Sequence, residues 1–388
     1  MTTNRVTFID SMRGLSLFGI LMANLLIFQF GMYGKDELKN LSMVDNGALY
    51  FVKVFIEGSF MPIFTILFGF SLIKFIESVR RKKTKSRWSI LRRAIGLIAI
   101  GWLHSSFLWE GDILLSYGCM TLFLIPFINR KPKTLFIWCG VLFLLTTALT
   151  FGPTEITKKE QNELTTYIEK ADATYANGSY LDIYDFRANV MPPGLDDPIF
   201  VFFIFIFAPL FYAPLFLFGM GLAKLHAFEN MQKEKKWYVI GAILVPVGLA
   251  FKAFSFIENN FSGMLLMGGS QLLAVGYVCL VALFFNTRPV QLLSPAFESV
   301  GKLSMTNYLM QTIICTTVFY GYGLGLYGQL GVFGGIIFGV VLYSLQCIFS
   351  IAYLKKFKRG PFETVLRIWT NWSWSGQTKQ KGSTVNES

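Results

Sequence analysis

Long apolar runs alternate with short polar segments along almost the whole of the 388-residue chain. A bilayer core is crossed by about 20 consecutive, mostly apolar residues in a helix. Ten stretches reach or approach that length: 12–32, 50–76, 91–109, 112–128, 134–152, 198–222, 237–255, 263–286, 303–321 and 331–354. The pattern predicts an all-α integral membrane protein, a polytopic bundle of about ten transmembrane helices. Pro209 and Pro214 predict a kink in the sixth span.

The composition supports a lipid environment and excludes most soluble classes. Hydrophobic residues make up 53% of the chain and charged residues only 15%, whereas soluble domains carry roughly 25% charged residues. The mean hydropathy is +0.51. All five cysteines fall inside predicted spans without a C-x-x-C pair, and there are only two histidines. These features argue against a disulfide scaffold, and no metal site is predicted.

The basic residues predict an orientation in the membrane. Lys and Arg concentrate in cytoplasmic loops of membrane proteins. With a cytoplasmic N-terminus, 26 of the 35 basic residues fall on the inner side and 6 on the outer side. Both termini are therefore predicted to be cytoplasmic, in a bacterial inner membrane. Membrane topology, together with attraction to anionic lipid headgroups, therefore explains the net charge of +12. No nucleic-acid partner is expected.

Two regions lie outside the predicted spans. The loop 153–198 is polar and acidic and is predicted to face outward, with an amphipathic helix over 155–176 and a turn at 177–179. It either covers an external substrate or serves as a solvated connection. Residues 1–360 are predicted to form one helical bundle, and 361–388 a cytoplasmic tail.

Polar side chains inside spans are functional candidates because they are costly in hydrocarbon. Asp10 and Arg13 lie three residues apart at the inner end of the first span and can pair. Asn24 follows about 16 Å further along this helix. The third span repeats the arrangement, with two arginines at its inner end and a histidine near its outer third. These residues are Arg92, Arg93 and His104.

The segment after His104 holds the densest group of proton-transfer residues, with Glu110, Asp112 and Tyr117. A carboxylate beside His104 would orient the ring, if the turn folds back. The other candidates are Glu57, Asn307, Tyr308 and Gln311. Each candidate also has a purely structural interpretation. His104, Asn307 and Gln311 could form hydrogen bonds that hold helices together. Glu57 could pair with Lys53, and Asp10 and Arg13 could anchor the end of the first helix.

Several motifs resemble the YeiB-like family of bacterial multi-pass membrane proteins. They are Asp10-x-x-Arg13-Gly14 through Asn24, the Glu57-Gly58 to Gly69 block, Gly101-x-x-His104 through Asp112 to Tyr117, Thr306-Asn307-Tyr308-x-x-Gln311, and Gly360-Pro361-Phe-Glu363. The family in turn is similar to the transmembrane acyltransferase superfamily, which includes heparan-glucosaminide N-acetyltransferase and bacterial O-acetyltransferases. That resemblance implies transfer of an acyl group from cytosolic acyl-CoA to an acceptor across the membrane.

One departure from this resemblance concerns the first span. In the O-acetyltransferases an essential histidine follows the arginine on the first helix, and its position here is taken by Asn24. An amide cannot act as a general base. Either His104 replaces that histidine from the third span, or this branch has kept the bundle and lost the chemistry.

The leading hypothesis is a membrane acyltransferase with no tightly bound cofactor and acyl-CoA as co-substrate. Arg13, Arg92 and Arg93 would bind the donor phosphates. His104, oriented by Asp112 or Glu110, would act as the base, while Asn24 or Gln311 would position the thioester. The substrate-binding candidates are Asp10, Glu57, Tyr117, Asn307, Tyr308 and Gln311. The alternatives are a small-molecule transporter or exporter, and a non-catalytic partner of an envelope pathway. The acceptor would be an envelope glycan, lipid or small molecule, and a homodimer is left open.

Overall fold

All regular secondary structure in the described part of the chain is helical. The computed structural model describes residues 2–82, 86–152, 157–195, 198–257 and 259–374. Its α-helices are α1 (Thr2–Phe30), α2 (Met43–Phe51), α3 (Phe60–Arg81), α4 (Ser86–Phe107), α5 (Leu114–Phe123), α6 (Pro132–Ala148), α7 (Lys158–Asn177), α8 (Tyr180–Asn189), α9 (Pro198–Lys224), α10 (Met231–Ala242), α11 (Leu244–Phe254), α12 (Ser262–Phe284), α13 (Arg288–Lys302), α14 (Ser304–Phe319), α15 (Gly331–Lys356) and α16 (Pro361–Asn371). The predicted all-α class is confirmed.

Among the described residues, five helical segments are long and apolar enough to cross a bilayer. They are Thr7–Phe30, Met43–Arg81, Met231–Phe254, Ser262–Phe284 and Gly331–Lys356. Shorter apolar helices span Leu114–Phe123, Pro132–Ala148 and Leu210–Lys224. These segments indicate a multi-pass membrane protein, and each predicted stretch coincides with one or more helical segments. The number of ten crossings stays a prediction. One helix, α9, continues through Pro209 and Pro214, and the kink expected at these prolines stays a prediction.

The α1 and α13 helices cross at a very short distance. A Cβ added to Gly14 would lie 2.0 Å from the carbonyl oxygen of Phe297, and one added to Gly301 would lie 1.8 Å from the carbonyl oxygen of Asp10. Only glycine permits this approach of two helix backbones. The α13 helix, which lies between the eighth and ninth predicted spans, therefore packs closely along α1. On its other sides, α1 contributes to two separate apolar cores.

The second apolar stretch is broken rather than continuous. A π-helical turn covers Val52–Ile56, and Gly58 follows with a φ of +68° that favours glycine. Lys252 of α11, whose side chain is fully buried, donates hydrogen bonds to the carbonyl oxygen of Glu57 and to Ser59 Oγ. The carbonyl freed by the break is thus satisfied by a lysine from another helix.

The loop 153–198 contains two helices, of which α7 corresponds to the predicted helix over 155–176. A capping box between Thr157 and Glu160 begins α7. At the opposite end of the bundle, the predicted tail begins with α16, which packs against α4 and α14. Residues 375–388 of the tail lie outside the described part of the chain. These two ends are called the α7 end and the α16 end below.

Candidate functional site

His104 and Asp112 form a buried pair where α4 ends and α5 begins. His104 Nδ1 lies 2.8 Å from Asp112 Oδ1, and their side chains are 2% and 1% exposed. The other carboxylate oxygen accepts a hydrogen bond of 2.6 Å from the backbone N–H of Leu115. The short turn after α4 therefore folds back, and of the two candidate carboxylates Asp112, not Glu110, is the partner of His104.

The pair depends on a close approach between α4 and α5. A Cβ added to Gly101 would lie 2.2 Å from the backbone nitrogen of Leu115 and 2.6 Å from Asp112 Oδ2. Gly101 is one helical turn before His104, so it admits the N-terminus of α5 to the same face of α4 that presents the imidazole. The Gly101-x-x-His104 spacing thus has a direct geometric role.

Tyr308 of α14 holds the turn that carries Asp112. Its hydroxyl accepts a hydrogen bond of 3.2 Å from the backbone N–H of Ile113 and donates one of 3.3 Å to the carbonyl of Gly111. Its ring centre lies 5.3 Å from that of His104. The predicted residues His104, Asp112 and Tyr308 are therefore brought together, and Tyr308 is a positioning residue for the pair.

The remaining nitrogen of His104 is buried and has no hydrogen-bond partner among the residues that the structure describes. If Asp112 is ionised, its Oδ1 can only accept, so the 2.8 Å contact then places the His104 proton on Nδ1. In the neutral imidazole this leaves a lone pair on Nε2. A buried nitrogen with such a lone pair, oriented by a carboxylate, is suited to accept a proton from a bound hydroxyl or amine.

Arg13 and Asp10 pair at the α16 end of α1. Arg13 Nη1 lies 2.7 Å from Asp10 Oδ1, which confirms that the two side chains pair. Arg13 also donates to Ser71 Oγ. Arg93 lies close enough to Arg13 for their charges to repel, and its guanidinium lies 5.2 Å from the ring centre of Phe75. Two of the three predicted donor-binding arginines thus share one region.

Arg92 faces a different neighbour. Its Nε donates to the carbonyl of Thr370, and its own carbonyl accepts from Trp369 Nε1. Both partners belong to α16. The structure therefore places Arg92 at the contact between α4 and α16, while Arg93, the next residue, lies near Arg13.

Most of the other polar candidates make hydrogen bonds between helices. Asn307 Nδ2 donates to Ser350 Oγ at 3.0 Å, and Gln311 Nε2 donates to Gln346 Oε1 at 2.9 Å, both across to α15. Tyr117 Oη lies 2.9 Å from Thr65 Oγ1. Asn24 is half-buried and makes no side-chain hydrogen bond in the described part of the chain.

The two remaining acidic candidates belong to the α7 end rather than to the buried pair. Glu57 pairs with Lys35 at 2.7 Å. The alternative of a pair with Lys53 is wrong, because Lys53 contacts Asp36 at 3.0 Å. Lys53 lies within the π-helical turn Val52–Ile56, so the α-helical spacing assumed for a pair with Glu57 does not apply there. Glu110 accepts a hydrogen bond of 2.8 Å from Tyr175 and lies 3.5 Å from Arg187, so it does not contact His104.

An open groove lies at the α7 end, beside the turn that carries Glu110. Its volume is about 440 Å³, and its walls come from the 30–39 segment, α7 and the turn 327–329. A small neighbouring cavity shares Phe30, Gly34 and Asp172 with it and reaches Glu110 and Tyr175. Glu110 is two residues before Asp112, so the small cavity lies beside the turn that presents the buried pair.

The sequence did not single out several residues whose contacts the structure shows. Asp172 accepts a hydrogen bond of 2.9 Å from Tyr327, and burial raises the pKa of its carboxyl. Burial and the nearby Glu110 carboxylate also raise the pKa of Tyr175. Lys252 was visible as a lone charge in an apolar stretch. No sequence signal linked Asp172 to Tyr327, because 155 positions separate them.

Comparisons with known proteins identify the family. A family model described as "Protein of unknown function (DUF418)" matches residues 222–373. The chain is 30% identical to "Uncharacterized protein YxaH" of Bacillus subtilis, covering 98% of both chains. It is 24% identical to "Uncharacterized protein YeiB" of Escherichia coli, covering 92% of this chain and 94% of that protein. No solved structure matches. The near full-length relationship confirms the YeiB-like resemblance, and the chain belongs to the DUF418 family.

Proposed function

We propose that the protein is a membrane-embedded acyltransferase that uses the His104–Asp112 pair as its base. The observation that carries the proposal is the unpartnered, buried Nε2 of His104, with Nδ1 held 2.8 Å from Asp112. An acceptor hydroxyl or amine at Nε2 would lose its proton to the imidazole as its oxygen or nitrogen attacks the thioester carbonyl. The new ester or amide bond forms, the carbon–sulfur bond breaks, and the leaving thiolate takes the proton from His104.

The donor would approach from the opposite end of the bundle. Arg13 and Arg93 lie there and offer two cations suited to the phosphates of acyl-CoA. Along α4, Arg93 precedes His104 by 11 residues, or about 16 Å of helix rise. An extended thiol-bearing arm bound at the arginines could therefore present its thioester towards His104. The basic bias along the sequence predicts that the arginine end faces the cytoplasm.

The acceptor would arrive from the α7 end, which the same bias predicts to face outward. The groove beside Glu110 opens there. In this arrangement the acyl group crosses the bundle between two substrates that approach from opposite sides. The acceptor would be an envelope glycan, a lipid or a small molecule, and the protein would reside in the bacterial inner membrane.

The test is acyl transfer by the reconstituted full-length protein. Proteoliposomes would receive acyl-labelled acyl-CoA on the arginine side and an envelope extract on the other side. Label should move to the extract with the wild-type protein and with His226→Ala. His226 is the second histidine of the chain and is an exposed residue that contacts Glu229. His104→Ala should abolish transfer while keeping the wild-type elution profile, and full transfer by this variant would refute the proposal.

A transporter is the second candidate, favoured by the broken helix between α2 and α3. Interrupted helices in transporters often expose backbone groups at a substrate site. Here the break at Val52–Ile56 and Gly58 is met by the buried Lys252. Uptake of labelled envelope metabolites into proteoliposomes without acyl-CoA would support transport. Loss of that uptake in Lys252→Met, with uptake intact in His104→Ala, would favour this function over acyl transfer.

A further inference from the structure

The groove at the α7 end has a wall chemistry suited to a particular class of ligand. Its volume of about 440 Å³ falls within the usual range of small-molecule pockets. Three carboxylates line the groove and its neighbouring cavity: Glu37, Glu110 and Asp172. Lys39 is the one basic residue among the lining residues. Acidic groups thus outnumber basic groups on these walls by three to one.

Two of these carboxylates have no cationic partner in the described part of the chain. Asp172 is half-buried and bonds to the neutral hydroxyl of Tyr327 at 2.9 Å. Glu37, also half-buried, forms no ion pair there. Glu110, in contrast, lies 3.5 Å from Arg187. A partly desolvated carboxylate without a counter-ion is unfavourable, and a bound cation would relieve that cost at Asp172.

Aromatic rings line both the groove and its neighbouring cavity. Tyr33, Tyr167 and Tyr175 line the inner cavity, and Tyr327 lines the groove beside Asp172. The rings of Tyr175 and Tyr327 are stacked with centres 5.9 Å apart, and those of Tyr33 and Tyr167 meet edge to face at 5.6 Å. Organic ammonium groups are attracted both by carboxylates and by the faces of tyrosine rings.

We propose that this groove is a binding site for a small organic cation, in which Asp172 supplies the negative charge and Tyr327 and Phe30 supply aromatic walls. An inorganic cation fits less well, because only two carboxylates among the described residues line the groove and they come from separate elements. The inference does not depend on acyl transfer or on transport, since it concerns binding alone. Within the acyltransferase proposal, the site would hold the cationic part of the acceptor.

Calorimetric titration of the purified full-length protein tests this inference. The probes are choline, whose trimethylammonium group carries the charge, and dimethylbutanol, its uncharged carbon isostere. Choline should bind at least about tenfold more tightly than dimethylbutanol, which corresponds to roughly 1.4 kcal/mol. Equal affinity for the two probes, or no heat of binding for choline up to high millimolar concentration, would overturn the proposal.

Two variants locate the binding to the groove. Asp172→Asn keeps an oxygen that can accept from Tyr327 but removes the charge, and it should weaken choline binding by about tenfold. Glu163→Gln is the matched control, because Glu163 is a carboxylate on the same helix that pairs with Lys159 at 3.7 Å in an exposed position. Choline binding that is unchanged in Asp172→Asn, or equally weakened in both variants, would exclude the groove as the site. Choline binding is measured without an acyl donor. A protein that fails to bind choline would therefore not contradict the acyltransferase proposal.

Discussion

Asp112 and Glu110 lie two residues apart in one turn, yet only Asp112 contacts His104, at 2.8 Å between Oδ1 and Nδ1. The side chain of Asp112 is 1% exposed, whereas that of Glu110 is 36% exposed and contacts Tyr175 and Arg187. The turn therefore presents one carboxylate to the buried imidazole and the other to the small cavity beside the groove. Substitutions at the two positions should have different consequences.

Asp112→Asn should reduce acyl transfer by about 10²- to 10⁴-fold, the usual contribution of a positioned general base. The amide can donate to Nδ1, which would move the imidazole proton to Nε2 and remove the lone pair that accepts the substrate proton. Initial rates in proteoliposomes measure the effect. Glu110→Gln is the control and should keep the rate within a few-fold, so equal losses in both variants would contradict the assignment of Asp112.

Tyr308→Phe should slow acyl transfer without removing any group of the His104–Asp112 pair. The variant loses the hydroxyl that accepts from Ile113 N–H and donates to Gly111, and an unsatisfied buried N–H costs about 1–3 kcal/mol. We expect a lower rate at saturating donor, a lower unfolding temperature, and an unchanged pH profile because the base is the same. A shifted pH profile would instead mean that Tyr308 takes part in proton transfer.

Gly101→Ala should destabilise the protein, because its Cβ would meet the backbone of Leu115 at 2.2 Å. Overpacking of this kind typically costs about 1–3 kcal/mol, and here it would also separate Asp112 from His104. Gly140→Ala is the matched control, since a Cβ at Gly140 of α6 meets nothing within 4 Å. Thermal unfolding in detergent should show a lower midpoint for Gly101→Ala and an equal or higher one for Gly140→Ala. Similar midpoints for both variants would refute the predicted backbone contact.

Asp172→Asn should stabilise the ligand-free protein at neutral pH. Burial raises the pKa of Asp172 above its usual value of 3.8, so the folded state binds this proton more tightly than the unfolded state. Stability from this group is present below pH 3.8 and is lost as pH rises through the folded pKa. The variant should therefore unfold about a degree or two higher at pH 7, and the difference should shrink towards pH 4. If the difference in unfolding temperature between the variant and the wild type grew as the pH fell, the prediction would be contradicted.

The sequence was informative where a feature depends on neighbouring positions. Apolar runs of sufficient length identified every helix that could cross the bilayer, because backbone groups in lipid require helical hydrogen bonding. The pairing of Asp10 with Arg13 followed from helical spacing. The His104–Asp112 contact could be anticipated since eight positions and a short turn separate the residues, although the choice between Asp112 and Glu110 required the structure.

Features formed between distant segments could not be predicted in this way. Lys252 meets the broken helix across 195 positions, and Tyr327 meets Asp172 across 155. No periodicity encodes either contact, because each depends on how whole helices pack. The segment 361–388 illustrates the same limit, since its high polarity suggested a tail while Glu363 bonds to residues 57 and 58 positions earlier.

Glu363→Ala should destabilise the α16 end of the bundle. Glu363 Oε1 accepts from the backbone N–H groups of Met305 and Thr306 at 2.8 and 3.0 Å, and Oε2 accepts from Thr306 Oγ1 at 2.6 Å. The carboxylate of α16 thus caps the N-terminus of α14, where the helix dipole favours a negative charge. Loss of an N-cap costs about 0.5–2 kcal/mol. We expect a lower unfolding temperature and faster amide hydrogen exchange in α16, measured by mass spectrometry.

The control for this effect is Glu163→Ala, which removes an exposed ion-pair carboxylate on α7 and should change stability by less than about 1 kcal/mol. Exchange in α16 should be unaffected in that variant. Because Arg92 also bonds to the end of α16, release of α16 by Glu363→Ala should free the Arg92 guanidinium as well. Wild-type exchange rates throughout α16 in Glu363→Ala would show that Arg92 and the apolar contacts hold the helix without the cap.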